Sequence, residues 1–250
     1  MAVNVNTVYQ TVLSILNKEQ RGYITPDEFN KLATQVQLEI FEGYFDELNQ
    51  QLRVPQTDGE YADRQKNIDN CISIFKTVGN CTYSAPGGFF LPPPNLHIIG
   101  TVIFKDEIEV QRTQRNDLLF QNLSPITKPS TSFPVYLYEQ NEPGQLGIPT
   151  GETRLYIYPK TITTAADITV SYIKKPQDVV WGFQQLGGGA WVSGPYIYSQ
   201  DASTQFDVDD SEQSNLILRI LAYSGIIIRD SSIVQAASME IQQNESNSRN

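Results

Sequence analysis

The sequence predicts an α+β protein, a helical bundle built from N- and C-terminal helices with an inserted mainly antiparallel β domain. Three observations carry that prediction. Apolar residues recur at helical spacing from Val5 to Thr77. Between Val78 and Phe206 they give way to short alternating or aromatic stretches punctuated by Pro and Gly clusters. From Asp207 onward the helical period returns. The borders drawn on these changes of period are 1–78 together with 207–250 for the bundle, and 79–206 for the β domain.

The first helix is carried by Val5, Val8, Val12, Ile15 and Leu16. The second runs through Phe29, Leu32, Ala33, Val36, Ile40, Phe41, Tyr44, Phe45, Leu48 and Leu52. Its start is marked by Thr25-Pro26-Asp27-Glu28, a capping box with Pro at the first helical position, and Ile24 and Phe29 stand where a hydrophobic staple would close it. A third helix is expected through Tyr61, Ile68, Cys71, Ile72 and Phe75.

In the β region, "LHIIGTVIF", "FPVYLYE", "TRLYIYPKTI" and "DITVSYIKKP" read as strands, and the last two flank "TTAAD" as an expected hairpin. The aromatics Tyr136, Tyr138, Tyr156, Tyr158 and Tyr172 alternate along these strands, which suits core or cross-strand pairs better than a sugar-binding platform. "APGGFFLPPP" and "LGGGAWVSGP" read as long loops, so Phe89, Phe90 and Leu91 are candidates for an exposed contact. Past the β region, Asp207, Asp209, Asp210 and Glu212 precede an apolar helix carrying Leu216, Ile217, Ile220, Leu221, Ser224, Ile227 and Ile228. There they answer the positive end of the helix dipole, which is a simpler role than acid–base chemistry. A short helix is expected from Ile233 to Ile241, followed by a polar tail, "QQNESNSRN", ordered only on meeting a partner.

Composition narrows the function. With 18 Lys+Arg against 28 Asp+Glu the net charge is −10, which disfavours a surface that grips phosphate backbones. "MAVNVNTVYQ" has neither the basic nor the apolar region of a signal peptide, and no aliphatic run is long enough for a bilayer, so the expectation is a cytosolic chain with no membrane partner. Cys71 and Cys81 lie ten apart without a CxxC spacing, as suits reduced thiols.

The stretch "NKEQRGYITPDEF" imitates an EF-hand loop in the placing of Gly22, Ile24 and Glu28. The ligand positions argue otherwise. Asn17, Glu19 and Arg21 occupy positions 1, 3 and 5, so a cation stands where the calcium should sit, and the capping box ties Glu28 to the helix start. A packing turn between two helices is the simpler reading. His97 is the single histidine and has apolar neighbours, which suits a structural residue; "LGGGAW" lacks the Lys-Ser/Thr of a phosphate loop. The residues therefore suggest no catalytic site, no metal and no cofactor.

The stretch "VNTVYQTVLSILNKEQRGYITPDEFNKLATQVQLEIFEGYFDELNQQLR" resembles the N-terminus of structural proteins of tailed bacteriophages, especially the ring or head-to-tail connector proteins of crAss-like phages. "SPITKPSTSFPVYLYE" and "LYIYPKTITTAADITVSYIKKPQDVVWGF" extend the likeness. It implies a non-enzymatic virion component, made in the host cytoplasm, that stacks as a homo-oligomeric, typically twelvefold ring against the portal protein and neighbouring neck or tail rings. Genomic DNA would pass through the lumen without sequence-specific binding. It also implies that the C-terminal tail docks on the portal or an adjacent subunit through Ile233, Val234, Met239 and Ile241. Two other classes stay open: a virion accessory module whose β-sandwich domain binds a receptor or glycan, and a small hydrolase using His97.

Overall fold

The computed structural model describes residues 3–18, 23–51, 66, 68–85, 87–140, 153–185, 196–228 and 231–249. The helices among them are α1 (Val5–Lys18), α2 (Pro26–Gln51), α3 (68–73), α4 (Arg115–Leu123), α5 (Gln213–Ile228) and α6 (Ser231–Arg249). The strands are β1 (Lys76–Asn80), β2 (Thr82–Ser84), β3 (Phe89–Leu91), β4 (Leu96–Phe104), β5 (Ile108–Arg112), β6 (Val135–Gln140), β7 (Thr153–Tyr158), β8 (Ile168–Lys174), β9 (Phe183–Gln185) and β10 (Tyr196–Tyr198). The class is α+β, with helices at both ends of the sequence and a mainly antiparallel sheet between. By contact the chain falls into two compact units, Met1–Ile74 with Pro176–Asn250, and Phe75–Lys175. The sequence-drawn border at 206 is thus not the border of the sheet unit, because residues 176–206 cluster with the helices.

The sheet unit is a closed structure, as its connectivity demands. Eight strands are hydrogen-bonded in the order β1-β8-β4-β5-β6-β7-β3-β2. Laid flat, that order would hold its two edges about 34 Å apart at ~4.8 Å per strand. Yet the edges, β1 and β2, are joined through Cys81 alone, and two residues of chain reach only about 7 Å. The sheet must therefore curl until β1 and β2 become the two halves of one bent strand. Cys81 is the corner; it is buried, its N–H donates to the Ile168 carbonyl at 3.1 Å, and burial pushes its thiol up to about 12. Inward residues come from every side of the curl: Phe90, Val102, Phe104, Val110, Tyr136, Leu155, Ile157, Ile168, Val170 and Tyr172 form one core with Cys81. A barrel of this strand number has room for side chains and no open channel.

One pair in this barrel is parallel, β5 with β6, and a parallel pair needs a crossover. Helix α4, which the sequence reading had not anticipated within its β region, supplies it. The expected hairpin across "TTAAD" does not form. Both strands exist, but β7 pairs with β6 and β3 while β8 pairs with β1 and β4, and the connection between them drops Ile162 into the barrel core. A short turn signal between two strands could not reveal that their partners lie elsewhere.

In the helical unit, the capping box is present as expected. The Thr25 N–H donates to Glu28 Oε2 at 2.9 Å, the Glu28 N–H donates back to Thr25 Oγ1 at 3.3 Å, and Ile24 and Phe29 are both buried. The bond from Thr25 holds the Glu28 carboxyl below its ordinary range. Residues 19–22 of the calcium-loop look-alike lie outside the described residues, as does "LGGGAW". Helix α5 packs on α1, α2 and α6, with Leu216 and Ile220 fully buried as are Val8, Val12 and Phe29. The acidic run occupies the start of α5: Asp209 accepts from Ser211 Oγ at 2.8 Å and Glu212 from Asn215 Nδ2 at 3.0 Å. Helix α6 continues to Arg249, well beyond the short helix expected, so the polar tail is helical.

What draws 176–206 to the helices is a ladder of side-chain bonds from α2. Asn30 Oδ1 accepts the Trp181 N–H at 2.7 Å, Thr34 Oγ1 the Val179 N–H at 3.0 Å, and Gln37 Nε2 donates to the Gln177 carbonyl at 2.7 Å. Positions 30, 34 and 37 line one helix face while 177, 179 and 181 are alternate residues of an extended chain. Gln37 Oε1 also accepts the Asp207 N–H at 2.8 Å. Trp181 then seats its ring 4.4 Å from that of Tyr9 and donates from Nε1 to Asn6.

Candidate functional site

The surface of the sheet unit carries its most unusual chemistry on α4 and the loop behind it. On its barrel side α4 lowers Leu118 onto Val135, Leu137, Tyr156 and Tyr158, the outward residues of β6 and β7. The remaining large apolar side chains turn away: Leu119 is 62% exposed, Phe120 72%, Leu123 80%, Ile126 93% and Phe133 78%. This ridge is ordered by its own hydrogen bonds. The Lys128 N–H donates to the Ser124 carbonyl at 3.0 Å, Thr127 Oγ1 to the Gln121 carbonyl at 3.2 Å, and Ser130 and Phe133 exchange backbone bonds at 3.3 and 3.1 Å. Five exposed large apolar side chains within fifteen residues, on a hydrogen-bonded support, make a surface suited to another macromolecule.

Beside the ridge lies a cleft of ≈ 480 Å³ lined by Arg112, Arg115, Asp117, Leu137, Tyr138 and Glu139 among others. Its charges are largely balanced. Arg115 grips Glu139 in a bidentate pair, 2.9 Å from Nε to Oε1 with Nη2 on Oε2 as well, which holds the Glu139 carboxyl below its ordinary range. Arg112 lies over the Tyr138 ring at 5.5 Å. Neither arginine is buried. A second guanidinium environment lies on the outward side of β7. Arg154, 3% exposed, sits 4.1 Å over the Phe89 ring, and its Nε and Nη2 find no hydrogen-bond partner among the described residues.

The sequence-predicted loop contact does not exist as such. Phe89 and Phe90 are each 1% exposed and Leu91 is half-buried, because "APGGFFLPPP" contributes a strand, β3, paired with β2 and β7. Phe90 faces the barrel core; Phe89 faces outward against Arg154 and Tyr156. Gly87 permits this, since a Cβ there would lie 1.9 Å from the Phe89 ring. A Pro- and Gly-rich frame signals turns, but two adjacent aromatics with both faces covered signal a strand between them.

Of the tail residues, Ile233 and Val234 lie against α5, where a Cβ on Gly225 would meet each of them at 3.1 Å. Ile241 is half-buried and Met239 is 68% exposed. His97 lies on the surface of β4. Tyr136 and Tyr172 are buried within the barrel, and the Tyr172 hydroxyl bonds Asn95 at 2.8 Å. Cys81 is a free thiol. No group of His, Cys, Asp and Glu among the described residues could hold a metal ion, and no helix among them is long and apolar enough to cross a membrane.

The ridge escaped the sequence reading, although "DLLFQNLSPITKPSTSF" holds six large apolar residues in seventeen, a density no solvated loop needs. No protein-family model matches the chain, and no curated protein matches it.

Proposed function

We propose that this chain is a structural subunit of the neck of a tailed bacteriophage, forming a homo-oligomeric, twelvefold ring that joins the portal to the tail. The observation that carries the reading is the ordered apolar ridge of Leu119, Phe120, Leu123, Ile126 and Phe133, a surface that a free-standing chain has no reason to keep in water. The likeness of residues 5–53 and of parts of 124–183 to connector proteins supplies the direction. The filled barrel supports a lumen made between subunits, since the barrel itself has no channel. A net charge of −10 suits a passage that does not hold the DNA moving through it. In this reading the protein has no enzymatic activity, and neighbouring neck rings and the portal are its partners.

Electron-microscopic class averages of the purified chain, alone and mixed with the portal, test it. Closed rings stacked on the portal are expected; a monomer that leaves the portal bare would overturn the reading. In this reading the portal docks on the outer side of α6, where the exposure of Met239 is consistent with a contact, so removing Ser238–Asn250 should weaken portal recovery at least tenfold, about 1.4 kcal/mol. Pull-down at matched concentration measures it.

A further inference from the structure

The barrel carries a second apolar surface. Outward positions of adjacent strands bring together Val78 of β1, Ile173 of β8 and Ile98 and Ile103 of β4, with Thr101, Thr169 and Ser171 between them. Val78 is 62% and Ile98 42% exposed, although both stand on strands. These three strands are the first three of the sheet order, whereas β6 and β7, which carry α4, are fifth and sixth. On a sheet whose two ends meet at Cys81, that separation is close to half a turn. The ridge and the wall are therefore on opposite sides of one barrel.

Two different apolar surfaces on opposite sides are what a head-to-tail contact requires, since a two-fold contact would use one surface twice. The ridge is also large enough. At roughly 200 Å² per large apolar residue and the exposures above, its five side chains present about 800 Å², the share each partner contributes to a standard stable interface. The wall offers a receiver of branched aliphatics and small hydroxyl residues for a row of Leu, Phe and Ile, flanked on the same outward side by Lys76, opposite Ile173, and Glu109, opposite Ile103.

We infer that the occupant of the ridge is a second copy of this chain: Leu119, Phe120, Leu123, Ile126 and Phe133 of one subunit dock on the β1–β8–β4 wall around Val78 and Ile98 of the next. The inference rests on the ring reading and adds its contact and its polarity. It assigns each subunit one donor side and one acceptor side.

The test uses full-length chains with one side disabled. Leu123→Glu breaks the ridge; Val78→Glu with Ile98→Glu breaks the wall, and Thr101→Arg is a second wall variant that replaces no apolar residue. Circular dichroism melts matching the unaltered chain confirm that each variant is folded. By sedimentation velocity at about 10 μM, where a standard interface is expected to hold, the unaltered chain should assemble beyond the dimer. Each variant alone should lose at least tenfold in self-affinity. An equimolar mixture of ridge and wall variants should recover a 1:1 heterodimer and stop there, because it retains one live contact. Wall variants that assemble like the unaltered chain, a mixture that stays monomeric, or an unaltered chain that is monomeric throughout would each overturn the proposal. The two readings fail separately. Rings that persist in both wall variants leave the neck reading standing without this contact, and a heterodimer beside open filaments of the unaltered chain keeps the contact and removes the closed ring.

Discussion

The barrel and the helical unit solve the same problem with different bonds. In the barrel, neighbouring strands pair through their backbones, and one layer of inward side chains fills the middle. In the helical unit, an extended segment is held by side chains of a helix, because a helix has no backbone groups left to offer it: Asn30, Thr34 and Gln37 do for residues 177–181 what a partner strand would do. The barrel is thus robust to the identity of its polar residues and sensitive to its apolar ones. The helical unit depends on three polar residues in a stripe that would ordinarily be exposed.

The largest break should come in the barrel core. Phe90→Ala removes a ring that is 1% exposed and is expected to cost about 3–5 kcal/mol. Phe133→Ala, on a ring 78% exposed, should stay within ~0.5 kcal/mol in the unassembled chain. Equilibrium unfolding in guanidinium checks both, and equal losses would place Phe133 in a core rather than on a ridge.

Next is the ladder. Gln37→Leu keeps the volume but strands the Gln177 carbonyl and the Asp207 N–H, for a loss of about 2–3 kcal/mol. Gln35→Leu, two residues away on the exposed side, should change little. Urea unfolding that cannot tell the two variants apart would show that the ladder does not hold the segment.

A smaller effect is expected at the start of α2. Thr25→Ala removes one half of the capping box and should cost about 1 kcal/mol. The other half titrates. Because the folded Glu28 carboxyl lies below its ordinary value of 4.5, its contribution is complete above that pH and is lost as pH falls through the folded value. Glu28→Gln keeps the reciprocal bond and removes the titration, so thermal melts from pH 6 to pH 3 should show a shallower acid loss in that variant.

Smallest of all should be Arg154→Met. The thioether can keep the packing on Phe89 while removing a buried cation with two nitrogens unpartnered among the described residues, so stability should hold or rise by about 1 kcal/mol. A loss above ~2 kcal/mol in the same unfolding assay would instead reveal an anion that the guanidinium serves.

Much of the helical unit was legible because its signals are local. The Thr25–Glu28 capping box and the stripe of Val5, Val8, Val12 and Leu16 each lie within a few turns of chain, and each forms as read, with Ile15 of that stripe left exposed. The candidate site was not. Helix α4 is nine residues long, with only Leu118 buried, so its apolar face points away from the core and its period reports nothing about folding. Phe89 and Phe90 were misread for the converse reason: their burial comes from β7 and Arg154, some sixty-five residues later in the chain.

By itself, the sequence determined the α+β class, the return of the chain to helices after the sheet, the start of α2 and the acid-rich character of the surface, since composition, period and capping act over distances of a few residues. Tertiary structure alone decided that β7 and β8 take separate partners, that Cys81 closes the sheet on itself, that Gln37 is buried as a bonding group, and that a ridge and a wall stand on opposite sides of one barrel. Each of those depends on which distant segments meet. A residue's own neighbours in the chain carry its preference for helix or strand but not the identity of the strand across from it, because every backbone offers the same N–H and C=O, and register is chosen only when whole faces are buried together.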